Sequence, residues 1–293
     1  MNIGIVTVWD ERGAGYVSMH YRNYLSAFFD IYIYNRGYSK NKFQNDERVY
    51  KSKKVSSFKP MSIHKKEFKK WLDKYKIETV LFNEQQTWDP IIWCKEWGIK
   101  TIAYIDYYTE ETIDLHNAYD LLICNTKRHY EAFEKHKNVK YFPWGTDLNL
   151  FKPKNIDNKT PTFLHSCGFS PSRKGTDSVL RAFENIELDF KLIIHSQIDL
   201  IKEYPELTYI INKLEKSEKL EIITKTVPAP GLYYLADYYV YPTRLEGIGL
   251  TISESICSGL VPIIPDCPPM IEFLPEQYKY KIKVNREVSR FDG

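Results

Sequence analysis

No apolar run in this 293-residue sequence approaches the roughly 20 residues that a membrane-spanning helix needs. The N-terminus, MNIGIVTVW, lacks a basic head followed by an apolar stretch, so no secretory leader is expected. Cysteine is sparse and scattered. Cys94, Cys124, Cys167, Cys257 and Cys267 are odd in number and include no CxxC pair. That spacing argues against a zinc site or a disulfide framework, and it predicts reduced thiols in a cytoplasmic protein with no bound metal. There is no short-period repeat, no low-complexity tract and no strong charge imbalance, the net charge being +3. What remains is a globular chain, 43% hydrophobic, long enough for two domains or one large one.

Short β-branched or aromatic runs (NIGIVTV, DIYIYN, TVLFN, KTIAYI, DLLICN) alternate with helix-like stretches (SMHYRNYLSAFF, HKKEFKKWLDKYK, TKRHYEAFEKH). Such alternation predicts βα units around a parallel sheet. The rhythm breaks at NLFKPKNIDNKTPTF, residues 149–163, rich in Lys, Asn and Pro. It then resumes with TFLHSC, GTDSVLRAFENI, KLIIHS, EIITKT, YYVYPT and LVPIIP. The expectation is two α/β domains, 1–153 and 154–293, meeting near residues 152–160.

Within the second domain, RLEGIGLTISESICSGLVPI (244–263) sets Glu246 and Glu254 on either side of Gly247 and Gly249. The pattern predicts a strand over 238–243, a loop over 244–248 and a helix over 250–258 closed by Gly259. In a parallel α/β sheet, ligands bind beyond the carboxyl ends of the strands, where helix N-termini point. The amides of Gly249, Leu250 and Thr251 would then be unpaired donors suited to a phosphate. The two glycines let such a ligand approach closely. Carboxylates repel phosphate but accept hydrogen bonds from hydroxyls. One on each side of a phosphate fits ribose, diphosphate and sugar in series. The competing reading makes Glu254 a helix-dipole partner and Glu246 a solvated loop residue.

EGIGLTISESICSGLVPI, together with LYYLADYYVYPTRLEG before it, resembles the nucleotide-sugar motif of the family-4 retaining glycosyltransferases. FPWGTDLNLFKP (142–153) resembles that family's interdomain segment, and LHSCGFSPSRKGTDSVLRAF (164–183) its basic phosphate loop. The resemblance runs from about residue 2 to about 275 and is specific in the second half. It implies a GT-B fold, α/β, with two Rossmann-like domains facing across a cleft, and a UDP-type sugar as substrate with no other cofactor. It implies that Glu246 takes the hydroxyls of the transferred sugar and Glu254 those of the ribose. Gly247, Ile248, Gly249, Leu250 and Thr251 hold the distal phosphate and sugar, with Val227 also on the donor side. Lys174 matches the family's phosphate lysine. The family's second cation position is Phe169 here, and the neighbouring Arg173 is expected to supply that charge. The family usually continues through further helices beyond PMIEFLPEQYKYKIKVNREVSRFDG, and this shortening keeps open a second reading, a glycosyltransferase-like binding subunit without turnover.

Gly13 and Gly15 in WDERGAGYVSMHY begin a GxGxxG pattern, but the third glycine position is Ser18. The second strand ends in Tyr34-Asn35-Arg36, without the acidic residue that holds an adenosine ribose. A dinucleotide oxidoreductase is therefore not expected. The resemblance places Gly13 and Gly15 near the donor diphosphate and Tyr16 near the acceptor. The family's histidine after the fourth strand has no counterpart, since no histidine lies between His64 and His116. Asn83, Glu84 or Asp106 is expected to position the acceptor, a glycan or glycolipid.

From Lys51 to Lys76 there are ten lysines against Glu67 and Asp73, a local excess of eight positive charges. Phe68, Trp71, Leu72 and Tyr75 fall at i, i+3, i+4 and i+7, an apolar helical stripe. One reading packs that stripe on the sheet and leaves Lys65, Lys66, Lys69 and Lys70 in water. The other docks the segment on an anionic surface: a lipid leaflet with the protein peripheral at the membrane, an acidic polymer, or DNA with a hydroxylated base as acceptor.

Overall fold

The computed structural model describes residues 1–10, 13–36, 46–52, 62–153 and 157–286. The chain divides into two units, the first running to Pro143 and the second opening at Trp144.

The first unit is built on seven parallel strands: β1 (Asn2–Thr7), β2 (Asp30–Asn35), β3 (Val49–Lys51), β4 (Thr79–Asn83), β5 (Lys100–Ile105), β6 (Leu121–Cys124) and β7 (Val139–Tyr141). Their order across the sheet is β3-β2-β1-β4-β5-β6-β7. Ile5 of β1 pairs with Ile33 on one side and Leu81 on the other. Every residue of β4, TVLFN, is buried. A strand covered on both faces reads as a continuous apolar run, and helices supply the cover. These are α1 (Gly13–Leu25), α2 (Lys65–Lys74), α3 (Asp89–Glu96), α4 (Glu110–Ile113) and α5 (Lys127–Ala132). Gly13 and Gly15 form the first turn of α1 instead of a loop ahead of it.

Helix α2 places the apolar stripe of the lysine-rich segment. Phe68, Trp71 and Leu72 are buried in the first unit's core, with Phe68 and Trp71 stacked 5.7 Å apart. Each such side chain contributes roughly 2 kcal/mol by leaving water. The stripe is core, with Tyr75 half-buried against it. Lys53, Lys54 and Lys59 lie outside the described residues.

The second unit repeats the plan with β8 (Thr162–Gly168), β9 (Lys191–Ser196), β10 (Leu220–Thr224), β11 (Tyr238–Val240), β12 (Val261–Pro265) and β13 (Lys281–Ile282). The order is β10-β9-β8-β11-β12-β13, again parallel. Its helices are α6 (Pro171–Lys174), α7 (Thr176–Phe183), α8 (Leu200–Glu203), α9 (Thr208–Lys216) and α10 (Leu250–Cys257). Strand β11 is shorter than the run expected over 238–243, because Pro242 has no N–H to continue the ladder. In both sheets the chain order reverses beside the first strand of the unit, between β1 and β4 and between β8 and β11. A crevice at the carboxyl ends of such a pair is where ligands bind in open α/β sheets. No helix among the described residues is long and apolar enough to cross a membrane.

Candidate active site

At the second unit's reversal point, β8 leaves through Gly168 into α6, and β11 leaves through Pro242 into the loop before α10. The two exits touch. Gly175, between α6 and α7, has φ 76°, and a Cβ there would lie 2.3 Å from the Pro242 carbonyl oxygen. Only glycine satisfies both the left-handed backbone and the contact. This approach carries Arg173 and Lys174 to residues about 70 positions later in the chain.

They meet on Glu246. Its Oε1 accepts hydrogen bonds from Lys174 Nζ at 2.5 Å, Thr243 Oγ1 at 2.6 Å, Tyr241 Oη at 2.9 Å and Arg173 Nη1 at 3.2 Å. Lys174 Nζ also donates to the Tyr241 hydroxyl and lies 4.7 Å from that ring's centre. The carboxylate is 8% exposed. Burial works against its charge, but Lys174 and Arg173 outweigh it and hold Glu246 below the usual carboxylate range. Burial draws Lys174 below its usual value, partly offset by Glu246. Oε2 receives none of the described hydrogen bonds. The ion cluster therefore saturates one oxygen of the carboxylate and not the other.

The surrounding loop is fastened to α6 and α7. Arg173 Nη1 donates to the Leu245 carbonyl at 2.7 Å, and the Arg244 amide to the Arg173 carbonyl at 2.8 Å. Arg244 grips both oxygens of Asp177 at 2.8 Å each. Behind them, fully buried His165 bridges the Val240 carbonyl and the Thr176 hydroxyl, each at 2.8 Å. Burial pushes its pKa down to about 4, so the ring stays neutral: one nitrogen donates to the carbonyl and the other accepts from the hydroxyl.

Helix α10 begins after Gly249, at φ 82°. Ile252 is the first residue of the turn whose amide bonds a backbone carbonyl, that of Gly249 at 2.9 Å. The Leu250 and Thr251 amides ahead of it have no acceptor among the described residues, a bare helix start suited to an anion. Glu254 is half-buried on the same helix and accepts a hydrogen bond from Tyr233 Oη at 2.8 Å. Burial pushes its pKa up to about 7, with Tyr233 pulling the other way. Val227 packs half-buried against the core cluster that contains Tyr233 and Ile252.

The first unit brings its own candidates to the ends of β1, β4 and β5. Gly15 is packed so closely that a Cβ would overlap the Asp10 carbonyl, whereas Gly13 has open space. Tyr16 is half-exposed in the same turn. Asn83 is buried and ties β4 to α1, its Nδ2 donating to the Ala14 carbonyl and the Ser18 hydroxyl, both at 2.8 Å. Glu84 adopts φ 51°, a left-handed conformation rare outside glycine. Fully buried Arg36 donates to the carbonyls of both Asn83 and Glu84 at 2.5 Å, clamping that bend. Glu84 and Asp106 then line a single cavity with Gln85, Tyr104 and His116, of about 20 Å³, room for one water. Lys65, Lys66, Lys69 and Lys70 stand apart from this edge, lining a groove along α2 with Lys74 and Trp97. Lys65 pairs with Glu96 and lies over the rings of Trp93 and Trp97.

Several of these residues carry no signal in the sequence. Tyr241 and Thr243 read as strand residues of YYVYPT, Tyr233 as a helix residue, His165 as a residue within the strand TFLHSC and Arg36 as the end of a strand. Their roles come from what the fold packs beside them: the approach of β11 to β8 for Tyr241, and the meeting of the turn Tyr233–Leu235 with α10 for Tyr233.

Residues 147–288, just under half of the chain, match the family model described as Glycosyl transferases group 1. Among solved structures, Anabaena HepE in complex with UDP and glucose is similar with a TM-score of 0.71 at 15% identity, over 94% of this chain and 83% of that one. A glycosyltransferase from Rickettsia africae ESF-5 gives 0.71 at 17% identity, over 92% and 80%. WaaG, a glycosyltransferase involved in lipopolysaccharide biosynthesis, gives 0.66 at 13%, over 93% and 83%. The fold is GT-B. No match is found among curated protein sequences. In this GT-B chain the family match contains Arg173, Lys174, Glu246 and Glu254, while Glu84, Asp106 and the lysines of α2 lie outside it.

Proposed function

We propose that this protein is a glycosyltransferase moving a sugar from a nucleoside-diphosphate sugar, UDP-linked, to an acceptor hydroxyl with retention of anomeric configuration. The observation that carries the proposal is the convergence of Lys174, Arg173, Tyr241 and Thr243 on one oxygen of Glu246, beside the bare start of α10. HepE, to which the chain is similar, is solved in complex with UDP and with UDP-glucose, which supports a UDP-linked donor here.

In this reading Glu246 Oε2 accepts hydroxyls of the transferred sugar, and Glu254 accepts those of the ribose. Breaking the sugar–phosphate bond places negative charge on the leaving diphosphate and oxocarbenium character on the sugar. Arg173, Lys174 and the Leu250 and Thr251 amides stabilise the leaving group from positions fixed before reaction, the condition under which electrostatic catalysis is strongest. A leaving phosphate oxygen takes the acceptor's proton during attack on the same face, which retains configuration. The charge needed is supplied by these side chains and amides, and no metal ion is invoked. The acceptor, a glycan or glycolipid, is assigned to Glu84, Asp106 and Tyr16.

The lysine face of α2 is proposed to rest on an anionic lipid leaflet at the cytoplasmic side. Its charge complements such a surface, and Trp93 and Trp97 beside Lys65 provide the aromatic contact that membrane interfaces favour.

A panel of nucleotide sugars, assayed for hydrolysis and transfer with and without chelator, tests the proposal. Turnover of one donor, insensitive to chelator, with the product's anomeric configuration unchanged by NMR, is the expected result. Binding without turnover of any donor favours the binding-subunit reading, and activity abolished by chelator and restored by magnesium or manganese removes the metal-free scheme.

A further inference from the structure

The two carboxylates at the second unit's edge are held by buried tyrosines of different strength of company. Tyr241 serves Glu246 as one of four donors. Tyr233 serves Glu254 as its only described side-chain donor, at 2.8 Å, and its hydroxyl is 3.4 Å from the Thr251 carbonyl. We propose that Tyr233 is a positioning residue for Glu254: its hydroxyl orients the carboxylate toward the ligand side and fixes the proton occupancy in which it accepts a nucleotide's ribose hydroxyls. The proposal rests on the donor-site reading above and deepens it.

The geometry leaves little else to do this work. Tyr233 is 6% exposed, in the short helical turn Tyr233–Leu235, and its ring packs edge-on at 5.7 Å against Tyr239 of β11. Tyr239 is the other titratable group facing Glu254; Tyr241 lies one ring further, stacked on Tyr239 at 5.1 Å. Arg173 and Lys174 are committed to Glu246 and do not act on Glu254. With no cation to compensate, burial pushes the carboxyl up to about 7, and the Tyr233 hydrogen bond is the described interaction that pulls it back toward its ordinary value. A hydrogen bond donated to a carboxylate favours the charged form. Only that form accepts two hydroxyls at full strength.

The consequence is a donor site that strengthens as pH rises through about 7. Calorimetry of UDP binding to the wild type, Tyr233→Phe and Glu254→Gln between pH 5.5 and 9 reads it directly. UDP's own terminal phosphate titrates near pH 6, and Glu254→Gln carries that contribution alone. Relative to it, the wild type gains affinity around pH 7. In Tyr233→Phe the same gain moves upward by about one pH unit, a tenfold change in proton affinity, on top of a smaller pH-independent loss from the carboxylate's lost orientation. A Tyr233→Phe loss that is uniform at every pH means a packing role only and overturns the proposal.

Carbon-13 titration of the Glu254 side-chain carboxyl in the ligand-free protein provides the second readout. A wild-type midpoint in the ordinary carboxyl range overturns the proposal without any variant, as does an unchanged midpoint in Tyr233→Phe. If the carboxyl midpoint shifts as expected while UDP binds at no pH, the tyrosine's hold on Glu254 stands and the nucleotide reading of the site fails.

Discussion

The carboxyl-end edges of the two sheets share one strand order, and they spend their polar side chains differently. In the first unit the buried cation binds backbone: Arg36 holds the carbonyls of Asn83 and Glu84, while Asn83 divides its amide between the Ala14 carbonyl and the Ser18 hydroxyl. Charge there shapes the chain, and the carboxylates it presents, Glu84 and Asp106, border a cavity the size of one water. In the second unit the charged groups converge on each other, with four side-chain donors on one Glu246 oxygen. One edge is a shaped backbone with acidic side chains at its rim. The other is a preorganised charge cluster beside an open helix start. The same topology supports both because the reversal point supplies only a place, and the residues at the strand ends decide what is done with it.

The contrast can be broken most severely at Lys174. Lys174→Met should cut transfer by at least ~100-fold, the scale for losing one fixed charge-stabilising donor. It should also lower unfolding stability by roughly 3 kcal/mol, because Glu246 is left buried with a weaker counterion. Adding Glu246→Gln to that variant should recover most of the stability and none of the transfer. Recovery of both in denaturation and turnover assays would make the cluster structural alone.

Next in size is the division of labour between the two carboxylates. A charged hydrogen bond is worth about 1.5–3 kcal/mol, so Glu254→Ala should weaken UDP binding by roughly 10- to 100-fold. Glu246→Ala should leave UDP affinity near wild type and impair only the sugar-bearing donor. Equal losses for both variants by calorimetry would reject the assignment.

The first unit's shaped backbone is tested by Glu84→Gly. Glycine relieves the left-handed conformation, so stability should rise by about 1 kcal/mol, while transfer falls and UDP binding is unchanged. A stability gain with full transfer would remove Glu84 from the acceptor side. The smallest effect on chemistry with a soluble acceptor belongs to the lysine face. Replacing Lys65, Lys66, Lys69 and Lys70 with glutamine should leave UDP affinity and soluble-acceptor turnover intact. Binding to anionic vesicles should fall by about 1 kcal/mol per lysine in contact, and wild-type binding should weaken with salt. If the variant loses binding to double-stranded DNA and keeps vesicles, the partner is nucleic acid.

Most of this framework could be read from periodicity. Strands such as DIYIYN and KLIIHS, and the helix after Gly249, are where their β-branched runs and glycine place them. The three-residue edge strands β3 and β7 escaped because so short a run has no pattern, and they exist through pairing with β2 and β6. Helix α3 was hidden by its tryptophans and Pro90, with Ile91 and Cys94 burying its inner face. At the site, Glu246, Glu254 and Lys174 stood out as charges beside glycines. Their tyrosine partners did not, since a buried tyrosine in a strand looks the same whether its hydroxyl is idle or orients a carboxylate. Trp71 and Phe68 showed the reverse: a stripe with two readings by spacing, resolved by what covers it.

The neutral ring of His165 has one more effect, on acid tolerance. Its pKa falls from 6.5 to about 4 on folding, so between those values the unfolded chain holds a proton that the folded one refuses, and stability drops as pH falls. Glu254 does the opposite. Its carboxyl rises from 4.5 to about 7, the folded chain holds the extra proton, and stability drops as pH rises. Each acts at about 1.4 kcal/mol per pH unit where fully developed, and the windows overlap from about 4.5 to 6.5. There the two slopes cancel. Within the second unit, the carboxyl on α10 that is poised for neutral pH and the histidine buried on β8 thus respond to acid in opposite senses.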